Sequence, residues 1–123
     1  MRDHNNLRAF EVADKIAMQT YQHTRSFPKD ELYALTSQMR RAAVSTAANI
    51  VEGCARSSEA EYGHFLDIAF GSLRELRYPF SLAVRLEYLS NSTCADFEPL
   101  LLEGEKVLSG LIRSLRKSSG ASQ

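Results

Sequence analysis

The sequence predicts an all-α protein, an antiparallel up-down-up-down four-helix bundle whose third helix is kinked near Pro79. Three observations predict this fold. Four segments carry apolar residues at helical spacing, no segment sustains the alternation of a strand, and only short polar stretches join the segments. The 123 residues are 44% hydrophobic and 24% charged, which is typical of one soluble domain with one core. We assign the bundle to residues 1–117 and expect the polar tail, 118–123, to be disordered.

The first segment predicts a helix from about Asn6 to Thr24. Pro28 ends it, because the residue before a proline disfavours helical backbone. One face of this helix carries Leu7, Phe10, Ala13, Asp14, Ala17 and Tyr21.

The second segment predicts a helix that opens near Lys29 to Glu31 and continues to about Arg56, with three distinct faces. The face expected to meet the core carries Leu32, Leu35, Met39, Ala43, Thr46 and Ile50. A polar face carries Arg41, Ser45, Asn49, Glu52 and Arg56. The third face is apolar and small, and it carries Val44, Ala48, Val51 and Ala55. Since the outer edge of a monomeric bundle should be polar, this third face predicts that another protein surface covers it.

The third segment predicts a helix that begins after a serine N-cap, Ser57 or Ser58, and extends to about Leu89. Glu61 stands three residues beyond Ser58, as in a capping box. Pro79 lies inside the apolar pattern with no turn residues around it, which favours a kinked helix over two separate ones. Gly71 lies inside the same pattern and indicates a close approach between helices.

The fourth segment has the clearest apolar stripe. Its members are Phe97, Leu100, Leu101, Gly104, Val107, Leu108, Leu111, Ile112 and Leu115. We place its N-cap at Asp96, because Pro99 would then fall in the first turn, where its missing N–H has no partner anyway. Thr93 is the alternative N-cap. The stretch "SNST", which ends at Thr93, is interpreted as a turn.

The polar face of the second helix has two interpretations. As chemistry, Glu52 would act as a base with an arginine clamp, and Glu75 and His64 would complete a bundle enzyme. As structure, Glu52 and Arg56 form an i,i+4 pair, and Arg41 and Asn49 hold helix packing together with Glu75, Arg74 and Arg77. We favour the structural interpretation, in which removing Arg41 destabilises or disassembles the protein. No catalytic residue, cofactor or metal ligand is predicted, since the three histidines and two cysteines lack metal-ligand spacing.

Charge and hydropathy restrict the partners. Fifteen Lys and Arg balance fifteen Asp and Glu, so the net charge does not indicate a nucleic-acid partner. Small basic clusters nevertheless offer phosphate contacts that a repeated assembly would multiply. No apolar run is long enough to span a membrane and no signal peptide is visible, so we expect a cytoplasmic protein. The residues of those basic clusters are Arg40, Arg74, Arg77, Arg113, Arg116 and Lys117.

Three stretches carry a resemblance to a known family: "QMRRAAVSTAANIVEGCARSS", "FLDIAFGSLREL" and "LSGLIRSLRK". They resemble the bacterial four-helix-bundle family named for proteins encoded in intervening sequences of large-subunit rRNA genes. Its members are often labelled ribosomal-protein-like, and relatives are accessory variability determinant proteins of retroelement reverse transcriptases. The resemblance implies a homo-oligomer, typically a ring of five bundles, without enzymatic activity.

We therefore expect a non-enzymatic homo-oligomeric scaffold that contacts RNA or a nucleic-acid-processing protein such as a reverse transcriptase. The alternatives are a protein–protein adaptor without nucleic-acid contact and, third, the bundle enzyme. No membrane and no small-molecule substrate is expected among the partners.

Overall fold

Four α-helices, α1 (Arg8–Thr24), α2 (Leu35–Cys54), α3 (Glu59–Arg85) and α4 (Asn91–Ala121), account for most of the chain. The computed structural model describes residues 2–121. Two short 3₁₀ turns, His4–Asn6 and Lys29–Glu31, precede α1 and α2. Each helix packs against two others, in the cyclic order α1, α2, α3, α4, and the most extensive packing joins α2 to α3. This arrangement confirms the predicted four-helix bundle.

The core runs along the bundle axis as two adjoining clusters of buried side chains. One cluster includes Ile16, Met39, Leu76, Phe80 and Phe97. The other lies towards the end of α2 and includes Ile50, Tyr62, Leu66, Leu108 and Ile112. Three buried threonines, Thr20, Thr24 and Thr46, are compatible with this apolar interior because their hydroxyls donate to a carbonyl one turn earlier, as Thr46 Oγ1 does to the Ala42 oxygen at 2.8 Å.

The buried face of α1 differs from the face predicted for it. Ala13 is buried as predicted, but the buried face also includes Val12, Ile16 and Thr20, whereas Asp14 and Tyr21 are exposed. The β-branched residues pack against the other helices, and the predicted stripe lies at the edge of this face, where Phe10 and Ala17 are half-buried. The predicted core face of α2 is confirmed except for Leu32, which is exposed because it precedes the helix.

The start of α3 is confirmed and the start of α4 is not. The Ser58 hydroxyl accepts a hydrogen bond from the Glu61 amide at 3.1 Å, which satisfies one free N–H of the first turn. Helix α4 begins at Asn91, five residues before the predicted cap, and the Ser90 hydroxyl accepts from the Thr93 amide at 3.1 Å. Most of "SNST" is therefore the first turn of α4, and Pro99 lies inside the helix.

Two further expectations concern the ends and bends of the helices. Helix α3 runs without interruption through Pro79, so the kink near this residue stays a prediction. Helix α4 continues to Ala121, into the segment expected to be a disordered tail; Ser122 and Gln123 lie outside the described residues. Within the described residues, no helix combines the length and apolar character needed to cross a membrane.

Candidate protein-binding surface around helix α2

The inner part of the polar face of α2 closes on itself and on α3. The Ser45 and Ser72 hydroxyls are 2.8 Å apart, which joins the two helices by a side-chain hydrogen bond. The Asn49 amide nitrogen donates to the Ser45 carbonyl at 2.8 Å and to its hydroxyl at 3.1 Å. Because these groups are partly buried, their mutual bonding removes the cost of leaving them unpaired.

The outer part of this face consists of an exposed ion pair. Glu52, in the last turn of α2, pairs with Arg56, which follows the helix, as their spacing predicts. The Arg56 guanidinium also lies over the Phe65 ring, 4.8 Å from its centre. A pair this exposed contributes about 0–1 kcal/mol to stability, so it does not hold the bundle together.

Arg41 does not have the buried partner that the sequence suggested. The residue is exposed, and its Nη2 reaches only the Ser37 hydroxyl, at 3.5 Å, which is long for a hydrogen bond. None of the ion pairs among the described side chains includes Arg41 or Glu75. The expected destabilisation by Arg41→Ala therefore loses its physical basis within a single chain.

Arg74 and Arg77 bind a carboxylate that the sequence analysis missed. Arg74 Nη1 donates to Glu105 Oε1 at 2.9 Å, and Arg77 Nε donates to Glu105 Oε2 at 2.7 Å. The side chain of Glu105 is only 10% exposed. The sequence predicted that these arginines, with Glu75, join the polar face of α2, whereas Arg74 and Arg77 bind Glu105 on α4. One feature of the sequence could have predicted these ion pairs. Glu105 is an acidic residue at the margin of the α4 apolar stripe, where its ion-pair partner must come from a neighbouring helix.

The small apolar face of α2 is open to solvent in the single chain. Val44 is 44% exposed, Ala48 and Ala55 are exposed, and Val51 is half-buried. No other element of the described chain covers this stripe. The bundle thus presents small side chains that allow a second helix to approach closely.

Larger apolar side chains extend this stripe beyond the start of α2. Tyr33 is 92% exposed and Leu32 47% exposed, both in the segment between the second 3₁₀ turn and α2. Tyr21 on α1 and Tyr78 on α3 are also exposed. Tyr and Arg are enriched at the centres of protein–protein interfaces, and here Tyr21, Leu32 and Tyr33 line one groove with Arg40 and Arg41.

Three adjoining cavities border this region, and Arg41 lines all of them. The first, which we call the α2/α3 cavity, has a volume of about 430 Å³ and lies between Arg41 and Ser45 on one side and Glu75 and Tyr78 on the other. The second, of about 380 Å³, lies where α2 begins. The third, the α1/α2 groove, has a volume of about 440 Å³ and is lined by Tyr21, Leu32, Tyr33, Thr36, Ser37, Arg40, Arg41 and Val44.

The basic residues proposed for phosphate contacts are mostly engaged by the protein itself. Arg40 Nε donates to the Thr24 hydroxyl at 2.9 Å, and its guanidinium stacks on Tyr21, 4.6 Å from the ring centre. Arg116 pairs with Asp67 at 3.2 Å, and Arg74 and Arg77 share Glu105. Arg113 and Lys117 are exposed and take part in none of the ion pairs found among the described side chains.

The residues of the enzyme alternative do not meet in one cavity. Glu75 lines the α2/α3 cavity, whereas His64 lines a separate depression between α3 and α4. In the part of the chain that the structure describes, no group of His, Cys, Asp or Glu is arranged to hold a metal ion. Both cysteines are free, and burial raises the pKa of the Cys54 thiol, which makes it a poorer nucleophile.

Comparisons with known proteins agree with the fold and supply the family. A solved structure from Bacteroides thetaiotaomicron, described as a protein with unknown function from the S23 ribosomal protein family, superposes with a TM-score of 0.77. The two sequences are 22% identical, and the alignment covers 85% of this chain and 95% of that one. A comparison with curated proteins finds no match. The family model described as 23S rRNA-intervening sequence protein matches residues 5–110, and the chain therefore belongs to that family.

Proposed function

We propose that this protein is a non-enzymatic scaffold that assembles with copies of itself through the surface around α2. The observation that carries the proposal is the exposed stripe Val44, Ala48, Val51 and Ala55, continued by Leu32 and Tyr33. A helix that faces only water has little reason to keep an apolar stripe opposite its core face. Covering this stripe with a second copy removes that apolar surface from water.

Several properties accompany this proposal. The family resemblance supplies the number of subunits, a ring of five. A cytoplasmic location and the absence of membrane and small-molecule partners belong to the same proposal. In such a ring each copy would offer its remaining surface to a protein partner, for which a reverse-transcriptase-like protein is the candidate from the resemblance.

A matched pair of alanine substitutions tests the assembly. Ala48→Glu places a charge in the proposed contact, at a cost on the order of several kcal/mol per unpaired charge. Ala95→Glu makes the same change at an exposed position on α4, away from the stripe. Light scattering should give a multimeric mass for the parent and for the control variant Ala95→Glu. The variant Ala48→Glu should have a smaller mass. A monomeric parent would overturn the proposal.

RNA contact is a second candidate, favoured by the exposed cations Arg113 and Lys117 near the end of α4. Neither pairs with a carboxylate among the described side chains, and a ring would repeat both cations in every copy. RNA binding through phosphates should weaken steeply with rising salt, and Arg113→Ala with Lys117→Ala should reduce that salt dependence. Arg85→Ala, on an exposed residue of α3, serves as the control. An assembled protein with no salt-sensitive RNA binding would favour the protein–protein adaptor.

A further inference from the structure

We propose that Tyr33 of one copy inserts into the α2/α3 cavity of a neighbouring copy. This inference rests on the proposed self-assembly and specifies which residues form the contact. It combines an aromatic side chain that the bundle leaves in solvent with a cavity that the bundle leaves open.

Hydrogen bonds hold the backbone around Tyr33 in place. The carboxylate of Glu31 accepts a hydrogen bond from the Tyr88 hydroxyl at 2.9 Å. The Ala34 amide donates to the Glu31 carbonyl at 3.0 Å. These bonds tie the backbone on either side of Tyr33 to the connection between α3 and α4. A backbone held in this way loses little conformational freedom on binding, which favours affinity.

The α2/α3 cavity offers both kinds of surface that a tyrosine needs. Ala42 and Pro79 contribute apolar surface, and Tyr78, which is 67% exposed, stands at its edge. Buried tyrosines combine a large apolar ring with a hydroxyl that seeks a hydrogen-bond partner, and aromatic pairs prefer offset or edge-on contact. The ring of Tyr33 would pack against Pro79 and Tyr78.

Acceptors for the phenol hydroxyl lie on the same wall. Glu75 lines the cavity, and its carboxylate takes part in none of the ion pairs found among the described side chains. Pro79 has no N–H, so the Glu75 carbonyl, four residues earlier, also lacks its usual helical donor. A phenol O–H is a donor of the right kind for either oxygen.

The positions of Tyr33 and the cavity make the contact head to tail. Tyr33 lines the α1/α2 groove and also the second cavity, at the start of α2, whereas the cavity that would receive it lies between α2 and α3. The two surfaces are therefore different parts of the chain. Such a contact forms a closed ring when the rotation from one copy to the next closes. Helix α2, with its small apolar stripe, would lie where neighbouring copies meet.

A photo-cross-linking experiment tests the contact. Tyr33 is replaced by p-benzoyl-phenylalanine, and protein of natural isotopic composition is mixed with ¹⁵N-labelled protein, dissociated and reassembled before irradiation. We expect mixed-isotope cross-links from position 33 to residues 38–45 or 72–79. Cross-links confined to one chain, cross-links only to another surface, or no cross-link would each overturn the inference.

Substitutions separate this inference from the proposed self-assembly. Tyr33→Ala should weaken assembly at least tenfold in a dilution series, and Tyr33→Phe should weaken it less, since it keeps the ring. Met18→Ala is the control, because Met18 is an exposed residue of α1 that lines none of the three cavities. If Tyr33→Ala assembles as tightly as the parent, the Tyr33 contact is wrong while self-assembly stands. A parent that stays monomeric overturns both.

Discussion

Glu105 is the buried carboxylate that ties α3 to α4. Arg74 and Arg77 approach it from α3, three residues apart and therefore on the same side of that helix. Arg74 remains largely in solvent, whereas Arg77 is mostly buried. A carboxylate in this position is stable only while its oxygens receive hydrogen bonds.

Glu105→Ala should lower the free energy of unfolding by about 1–3 kcal/mol, because Arg77 would lose its partner while remaining mostly buried. Chemical denaturation followed by circular dichroism measures the change. Glu103→Ala is the control, since Glu103 pairs with Arg8 at the surface and an exposed pair contributes about 0–1 kcal/mol. Equal effects of the two substitutions would show that the Glu105 pairing is no more than a surface contact.

His23 should make stability depend on pH. Burial lowers the pKa of His23 from its ordinary value of 6.5, and the Asp96 carboxylate offsets this only in part. Its Nε2 is buried and has no hydrogen-bond partner among the described residues, and the ring meets Phe97 edge-on at 5.2 Å. The unfolded chain therefore takes up a proton at a higher pH than the folded chain does. The contribution of His23 is fully present above pH 6.5 and is lost as the pH falls below it.

We expect the free energy of unfolding to fall between pH 7.5 and pH 5.5, by an amount that His23→Gln reduces. Denaturant titrations at the two pH values measure the difference. His64→Gln, at an exposed position, controls for the general effect of removing a histidine. A pH dependence that is the same in the parent and in His23→Gln would contradict the assignment.

Two glycines distinguish close packing from open surface at the scale of the helices. A Cβ at Gly53 would lie 3.1 Å from the Phe65 Cβ and 3.3 Å from the Tyr62 carbonyl oxygen, so an alanine here would push α2 and α3 apart by a few tenths of an ångström. A Cβ at Gly71 meets nothing within 4 Å. The sequence-based interpretation of Gly71 as a close approach within the bundle is therefore wrong.

Gly53→Ala should destabilise the fold by about 1–3 kcal/mol. The new methyl group would press on the Phe65 Cβ and the Tyr62 backbone, and these atoms move less easily than the end of a flexible side chain. Gly71→Ala should stabilise it by about 0.5–1 kcal/mol, through the lower entropy of the unfolded chain. Thermal or denaturant unfolding of the two variants beside the parent gives both signs. Destabilisation by Gly71→Ala would show that another surface covers this part of α3.

The sequence specified those helix features that depend on neighbouring residues. The Ser58 cap and the apolar stripe of α4 follow from local hydrogen bonding and from periodicity, and both are present. The start of α4 was missed because Pro99 was taken to require an early helical position, whereas the chain accepts the loss of one hydrogen bond on an exposed face. Glu105 was missed because its partners lie about 30 residues away in sequence, and pairing at that distance depends on which helix faces meet.

At the scale of the whole molecule, topology could be predicted and assembly could not be read from one chain. Short connections force consecutive helices to be antiparallel neighbours, so four periodic segments were sufficient for the bundle. The candidate surface around α2 was recognised from its small apolar residues, but Tyr33 was not, because a single tyrosine in a turn has no periodicity to mark it. The contacts of this surface and of Tyr33 in an assembly depend on a second molecule, which one chain does not describe.

Self-assembly predicts that thermal stability depends on protein concentration. If folded copies associate and unfolded copies do not, mass action stabilises the folded chain as concentration rises. For a ring of five, a tenfold increase adds on the order of 1 kcal/mol per subunit, which should raise the unfolding midpoint by a few degrees. Differential scanning calorimetry of the parent over a hundredfold range of concentration should show this rise. Ala48→Glu should unfold at a lower midpoint that does not change with concentration, since its copies remain apart. A parent midpoint that is equally independent of concentration, together with a monomeric mass, would leave the exposed stripe of α2 without a partner of its own kind.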